Sequence, residues 1–356
     1  MSSPLFAPLT FRSGLEVPNR IALAPMTNQQ SHDDGTLGDD ELHFLLRRAD
    51  GGFGSIMTCA SHVTKDGQGW PGELGSFDDA HVPSLARVAR GLEARGAKTI
   101  VQIFHGGVRA NQVASGLARL GPSAVDGCRE ATFEDIARIV EAFAAAAARA
   151  KRAGCHGVEI HGAHGYLLTQ FLSRTQNQRS DAYGGSLENR ARLAREVVSA
   201  VRAAVGPGFL VGIRISPEDF GNAVGLDLDE SAEVARSLAA SVDYVHLSLW
   251  RSALPTTKRP EAHALEVFRE VLPADVRLVV AGQIATRAEA EALLAKGADM
   301  VALGRIALAN PDWPRRVKEP SWEPRRPPHS EDELVANGLS PKFATYMRSW
   351  KGFVEG

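Results

Sequence analysis

Short apolar runs alternate with longer amphipathic segments along most of this chain. Several runs, such as VQIF and RLVVAG, are apolar at consecutive positions, which is typical of parallel strands buried on both faces. Eight runs predict strands, at Ile21–Pro25, Gly54–Thr58, Thr99–Phe104, Gly157–Ile160, Phe209–Ile215, Tyr244–Leu247, Arg277–Ala281 and Met300–Leu303. Strands that alternate with helices predict βα units and a parallel sheet.

The segments between the runs carry helix signals. Thr132 and Thr286 each precede an acidic residue by three positions, as in a capping box. Lys296-Gly297 supplies a cation and then a glycine, which predicts a helix end. Further helices are predicted over Asp39–Ala49, Val82–Arg95, Leu187–Val205, Asp229–Ala240 and Ala262–Val271.

Eight strands interleaved with helices over 356 residues predict a single (β/α)8 barrel, a TIM barrel, in the α/β class. We place the barrel at residues 1–320, with a short N-terminal lid. A C-terminal extension is predicted at 321–356. The proline-rich, charged segment Lys318–Ser330 forms an irregular connection between the barrel and this extension. The alternative is a doubly wound sheet, which is disfavoured because no GxGxxG motif follows an early strand.

The charge balance indicates small-molecule partners. The chain has 40 Lys and Arg against 42 Asp and Glu, and the two signs are mixed, so no basic surface for nucleic acid is expected. The longest apolar stretch, Ile139–Ala148, is too short to span a bilayer, and the N-terminus has no signal-peptide pattern. Three cysteines without a CxxC motif argue against an iron–sulfur cluster and favour a reducing, cytoplasmic location.

Polar residues and glycines follow the predicted strands, where a barrel carries its active site. A lone arginine inside the apolar run GIRIS, Arg214, needs a partner, which is either an internal carboxylate or a ligand with negative charge. Gly282 and Gly304-Arg305 follow the seventh and eighth strands and predict a phosphate site, with ordinary turn glycines as the alternative. His161 and His164 could form a metal pair, but no third ligand stands beside them, so we expect no metal.

Three separated motifs carry a resemblance to a known family. They are EIHGAHGYLLTQFLSRTQNQRSDAYGGSLENR at 159–190, the opening LFAPLTF with VPNRIALAPMT, and the pair Gly304-Arg305. From Leu5 to about Pro314 the chain resembles the old yellow enzyme family of FMN-dependent ene-reductases. This resemblance implies a (β/α)8 barrel, bound FMN, and NAD(P)H as reductant.

The resemblance also implies residue roles. His161 and His164 would hydrogen-bond the electron-withdrawing oxygen of the substrate, and Tyr166 would donate a proton. Thr27 stands where some bacterial members have Cys, and Asn28 where many close relatives have an aromatic residue. The implied flavin contacts are Pro25, Met26, Thr27, Ala60, Gln102, His161, Arg214, Gly282, Gly304 and Arg305.

The activity implied is reduction of the activated C=C bond of α,β-unsaturated carbonyl or nitro compounds. An aldolase or isomerase barrel is the alternative enzyme, but no lysine ends a predicted strand. A flavin-binding protein without turnover is the third interpretation. Trp70 and Trp250 are candidate site walls whose assignment the sequence leaves open.

The C-terminal segment Tyr346-Met-Arg348-Ser-Trp350 resembles the Tyr-x-Arg-x-Trp ending of one bacterial branch. There the arginine reaches the active site of a neighbouring subunit, which implies a homodimer or a higher homo-oligomer. A tail packed on its own chain is the alternative.

Overall fold

The computed structural model describes residues 3–125 and 127–356. Eight parallel strands form a closed barrel, because the last strand pairs with the first through Val301 and Ile21. The barrel strands are β1 Ile21–Leu23, β2 Ser55–Met57, β3 Lys98–Phe104, β4 Gly157–Gly162, β5 Leu210–Ile215, β6 Tyr244–Ser248, β7 Arg277–Ala281 and β8 Met300–Leu303. The predicted (β/α)8 barrel is confirmed, with every predicted strand in place.

Helices cover the outside of the barrel. The longer ones are α1 Asp39–Asp50, α2 Val82–Glu93, α3 Phe133–Arg152, α4 Arg192–Val205, α5 Leu228–Leu238, α6 Ala264–Val271 and α7 Arg287–Ala295. Short helices occupy Gln112–Ser115, Leu167–Leu172, Leu187–Arg190, Ile306–Ala309, Trp313–Arg316, Glu331–Ala336 and Pro341–Tyr346. 3-10 turns lie at Pro4–Phe6, Lys65–Gly67, Asp79–His81, Gly107–Arg109 and Met347–Ser349. The helix predicted over Leu187–Val205 is therefore two helices, divided at Ala191.

Both predicted capping boxes form. The Thr132 hydroxyl accepts from the Asp135 backbone N–H at 3.2 Å, and the Asp135 carboxylate accepts from the Thr132 N–H at 2.9 Å. Thr286 and Glu289 make the same reciprocal pair at the start of α7. Each box satisfies two backbone donors that a helix start would otherwise leave open.

The N-terminal lid covers the end of the barrel where the strands begin. It is an antiparallel hairpin of Leu9–Thr10 and Glu16–Val17. Phe11 packs on Tyr244, with ring centroids 5.8 Å apart, and Arg277 donates to the Thr10 carbonyl at 3.2 Å. Three further strands lie outside the barrel set, at Ser61–His62, Arg119–Gly121 and Cys128–Glu130.

The C-terminal extension packs on the opposite end, where the barrel strands finish. Phe343 meets Phe44 of α1 edge to face, with centroids 5.4 Å apart. The Gln30 side chain accepts from the Ser340 backbone N–H at 3.2 Å. Phe343 and Phe353 belong to the same buried apolar cluster as the barrel helices, so the extension shares the barrel's core. Within the described residues no helix combines the length and apolarity that crossing a lipid bilayer requires.

The barrel interior is packed around Tyr244, which is fully buried. Gly212 on β5 stands opposite Tyr244 on β6 in the strand register. A Cβ at Gly212 would lie 2.0 Å from Cζ of the Tyr244 ring. Only glycine leaves room for this ring.

We predict that Gly212→Ala destabilises the protein by about 1–3 kcal/mol, because the added methyl displaces Tyr244 from its packed position. Thermal unfolding followed by circular dichroism measures this as a lower Tm. Gly208→Ala is the matched control, because nothing lies within 4 Å of the Cβ it would add. Equal Tm values for the two variants would contradict the packing argument.

Candidate active site

A cavity of about 1020 Å³ opens where the barrel strands end. Strand ends form its floor, and the C-terminal extension contributes Phe343, Tyr346, Met347, Trp350 and Phe353 to its wall. Nine of the residues singled out from the sequence line this cavity: Pro25, Met26, Thr27, His164, Tyr166, Arg214, Gly282, Gly304 and Arg305. The cavity lies at the end of the barrel that carries the active site in other (β/α)8 enzymes.

Three predicted site residues, Ala60, Gln102 and His161, are not among the described residues that line this cavity. Ala60 packs in a small cluster with Trp70 and Phe104, which partly buried Tyr166 joins. Gln102 and His161 are only 1% and 4% exposed. Of the two tryptophans left open by the sequence, Trp250 lines the cavity and Trp70 packs behind it.

Arg214 has an unfilled donor in this wall. Its Nη2 donates to the Ser248 hydroxyl at 3.0 Å, while its Nε is buried with no partner among the described residues. Burial lowers the pKa of the Arg214 guanidinium, and the charge of Glu159 opposes this. The described residues give Arg214 no ion pair with a carboxylate, so the internal salt bridge considered above does not form. A buried cation with a spare N–H suits a ligand with negative charge.

Below Arg214, the carboxylate of Glu159 collects three hydrogen bonds. Gln102 Nε2 donates to one oxygen at 2.8 Å, and Tyr244 OH and His246 Nδ1 reach the other at 3.1 and 2.8 Å. Burial raises the pKa of Glu159, but the neighbouring His246, the charge of Arg214 and the Gln102 hydrogen bond outweigh it and keep the pKa low. Because one Gln102 N–H is committed to Glu159, the orientation of its amide is fixed.

The two histidines are neutral at physiological pH. Burial lowers the pKa of His161 to about 3, with the charge of Arg214 acting in the same direction. Burial also lowers the pKa of His164 well below its usual value. His161 Nδ1 accepts from the Ala163 backbone N–H at 3.2 Å, which leaves the ring proton on Nε2.

His164 is held by serines on two neighbouring strands. Its backbone N–H donates to Ser216 Oγ at 3.0 Å, and its Nε2 lies 2.7 Å from Ser248 Oγ. The residue adopts φ +61°, a conformation that few side chains other than glycine take. Strain of this kind is concentrated at functional sites.

Tyr166 packs against two rings and one guanidinium. Its edge-to-face contacts place its centroid 5.1 Å from His161 and 4.6 Å from Phe104. The guanidinium of Arg109 lies over the Tyr166 ring, 4.3 Å from the centroid. Burial raises the pKa of Tyr166, so the phenol keeps its proton at neutral pH.

The glycines and arginine after β7 and β8 form a second part of the cavity. A Cβ on Gly282 would lie 2.6 Å from the Leu249 carbonyl oxygen, so this position requires glycine. Among the described residues, the Arg305 guanidinium makes only ring contacts, 5.6 Å from the centroid of Trp250 and 5.1 Å from that of Trp350. Its N–H donors are therefore available to an anion.

The sequence interpretation missed two polar residues of the site, Ser248 and Arg109. Ser248 ends β6, so the rule that found the other strand-end residues could have found it. Arg109 follows β3 by five positions, in a 3-10 turn that no local pattern directs towards the cavity. Groups of three or more His, Cys, Asp or Glu that could hold a metal do not occur in residues 3–125 and 127–356.

Two residues of the C-terminal motif line the cavity, and the third makes contacts elsewhere on its own chain. Tyr346 and Trp350 line the cavity of their own chain. Arg348 instead pairs with Glu331 and donates to the Glu355 carbonyl of the same chain at 3.1 Å. Contact of Arg348 with a neighbouring subunit stays a prediction.

Comparisons with known proteins agree with this arrangement. The profile of the NADH:flavin oxidoreductase / NADH oxidase family matches residues 4–321. The chain is 38% identical over 334 residues to the probable NADH-dependent flavin oxidoreductase YqiG of Bacillus subtilis (strain 168), and the match covers 89% of this chain and 88% of YqiG.

Solved structures give the same result. Morphinone reductase in complex with tetrahydroNAD superposes with a TM-score of 0.82 at 28% identity, covering 97% of each chain. The old yellow enzyme homologue from Zymomonas mobilis superposes with a TM-score of 0.81 at 26% identity, covering 96% of this chain and 99% of that one. The chain therefore belongs to the NADH:flavin oxidoreductase / NADH oxidase family, the old yellow enzymes, whose members use FMN with NAD(P)H as the reductant.

Proposed function

We propose that this enzyme reduces the activated C=C bond of α,β-unsaturated carbonyl or nitro compounds with electrons from NAD(P)H. One observation carries the proposal: neutral histidine N–H donors and a protonated phenol lie together beside a buried arginine with a spare donor. This set of groups can hold an electron-poor alkene by its oxygen and protonate it.

The residues of the cavity fit FMN. Arg214 would face the pyrimidine edge of the flavin, where negative charge accumulates on reduction, and its buried Nε lacks another partner among the described residues. Arg305 and the backbone at Gly282 and Gly304 would hold the phosphate. The chemistry that bound FMN would supply here is hydride transfer from NAD(P)H to the β-carbon of the alkene.

His161 and His164 would hold the substrate oxygen. Their role is to donate hydrogen bonds as negative charge moves onto that oxygen. His161 has its proton on Nε2, because Nδ1 accepts from the backbone. Arg214 donates to the Ser248 hydroxyl, which lies 2.7 Å from His164 Nε2, so Ser248 links the cation to this histidine.

Tyr166 would complete the reaction by protonating the α-carbon. The C=C π bond is then replaced by two C–H bonds, one made with the hydride and one with the phenol proton. The ring contacts of Tyr166 fix the direction of its hydroxyl. A neutral phenol with a raised pKa is a proton donor over the whole physiological range.

The two alternatives lack such support. An aldolase would need a Schiff-base lysine, and no lysine is among the described residues that line the cavity. A flavoprotein without turnover would have the same cavity but would fail the following test. Anaerobic stopped-flow should show flavin reduction by NADPH or NADH and then reoxidation by cyclohexenone, and absence of reoxidation by any enone or nitroalkene would contradict the proposal.

The Tyr166→Phe variant isolates the proton donor. We expect flavin reduction at a near-normal rate, because that step needs no proton from Tyr166. Reoxidation by cyclohexenone should slow by about 10²–10⁴-fold, the usual contribution of general acid catalysis. Nitroalkenes should suffer less, since their nitronate products persist without immediate protonation.

Tyr183→Phe is the control, because that hydroxyl bonds to Glu196 and does not line the cavity. Equal slowing of both half-reactions in Tyr166→Phe would point to a packing defect. Normal reoxidation by the enone would remove Tyr166 from the mechanism.

Arg305→Ala should weaken FMN binding by about 10- to 100-fold, because a charge-assisted hydrogen bond to phosphate contributes about 1.5–3 kcal/mol. Titration of apoprotein with FMN, followed by quenching of flavin fluorescence, measures the Kd. Arg251→Ala is the control, since Arg251 is exposed and outside the cavity. Unchanged affinity in Arg305→Ala would place the phosphate elsewhere.

The rate of reoxidation should be nearly independent of pH between about pH 5.5 and 8.5. His161 has a pKa of about 3 and Tyr166 a raised one, so neither changes charge in this range. Folding stability should still fall as the pH drops below 6.5, because the unfolded histidines then bind protons that the folded ones do not. Single-turnover reoxidation at several pH values tests whether the rate is independent of pH. A bend near pH 6.5 in the rate profile would show a histidine with an ordinary pKa.

A further inference from the structure

The charges that line the cavity are all of one sign. Four of its described lining residues are arginines, at positions 109, 214, 305 and 326, and none is Asp or Glu. The chain as a whole has a net charge of −2, so this excess is local. A cavity lined by cations alone attracts and retains anionic ligands.

Two of these arginines would bind FMN. Arg214 would face the flavin ring and Arg305 the phosphate, as proposed above. Arg326 is exposed at the cavity rim. Arg109 remains, half-buried beside Tyr166 and His164, which are two of the residues that would contact the substrate.

Arg109 is held in place by its surroundings. Its Nη1 donates to the His164 carbonyl at 2.6 Å, and its guanidinium stacks over the Tyr166 ring. Gln170 accepts from the Val108 N–H at 3.0 Å and donates to the Gly165 carbonyl at 2.8 Å, which ties the Arg109 turn to the loop of His164. The cation therefore keeps one position, and the residues that the structure describes give it no carboxylate partner.

The remaining donors of Arg109 have no acceptor within the described part of the chain. A guanidinium has five N–H donors, and the described residues supply an acceptor to Nη1 alone. A carboxylate on the substrate would take a planar pair of these donors. Since the histidines already serve the activating oxygen, this carboxylate has to be a second group.

We propose that Arg109 is a specificity residue that binds a carboxylate carried by the substrate in addition to its activated C=C bond. The substrate class is then unsaturated carbonyl acids such as 4-oxo-2-alkenoates, in which the ketone activates the alkene and the acid is ionised. This inference rests on the proposed ene-reductase function and names the substrates of that same site.

The test compares 4-oxo-2-pentenoate with its methyl ester, which has the same carbon frame without the charge. In Arg109→Met the ratio of kcat/KM for the acid to that for the ester should fall about 10- to 100-fold relative to the wild type. Arg109→Lys should recover part of this ratio, because it keeps the charge but not the planar fork. Arg326→Met, which removes another cavity cation, should change the ratio much less.

A binding measurement separates recognition from catalysis. Calorimetry with the oxidised holoenzyme should show that Arg109→Met weakens binding of 4-oxopentanoate, the reduced product, by a similar factor, with a smaller change for its methyl ester. A merely structural Arg109 would alter acid and ester together, which would overturn the proposal.

The phosphates of NAD(P)H are the other source of negative charge. If Arg109→Met slows flavin reduction by NADPH while the acid-to-ester ratio stays constant, the cation serves the dinucleotide and the proposal is wrong. Cyclohexenone is the reference substrate: its failure to reoxidise the wild-type flavin would reject the ene-reductase function itself. Cyclohexenone turnover with an unchanged acid-to-ester ratio in Arg109→Met would reject only the role of Arg109.

Discussion

A buried carboxylate at the centre of the barrel organises the site above it. Glu159 is fully buried, and an ion in such a place is tolerated only when hydrogen bonds replace its lost water. Its three donors come from two other strands, Gln102 from β3 and both Tyr244 and His246 from β6, and so they fix these strands relative to β4. The space for the Tyr244 donor exists only because Gly212 has no side chain.

This carboxylate also explains how Arg214 can be a cation inside the protein. Arg214 and His161 are paired in the register of β5 and β4, two residues beyond the pair of Gly212 and Glu159. The negative charge lies below and the positive charge above, without direct contact, and Ser248 carries a hydrogen bond from Arg214 towards His164. Burial, reinforced by the charge of Arg214, lowers the pKa of both histidines, so they stay neutral and act as donors across the physiological pH range.

Much of this arrangement could be predicted from the sequence because strand ends in a parallel barrel converge. That rule placed Thr27, Arg214 and Arg305 around one cavity although they are far apart in the chain. The partner of Gln102 could not be predicted, because it depends on the register between β3 and β4. The position of Arg109 was also hidden, since it depends on a turn held by Gln170, whose contacts span about sixty residues.

No local sequence pattern predicted where the C-terminal extension packs, yet its residues form part of the cavity wall. Its aromatic residues Tyr346 and Trp350 form a part of the cavity wall that the barrel strands do not supply. The Trp350 ring also contacts the Arg305 guanidinium. An indole face stabilises a guanidinium without using its N–H donors. Arg305 is therefore positioned by Trp250 on one loop and Trp350 on the extension while its donors stay open to an anion. The extension therefore both completes the cavity wall and positions the cation that would hold the phosphate.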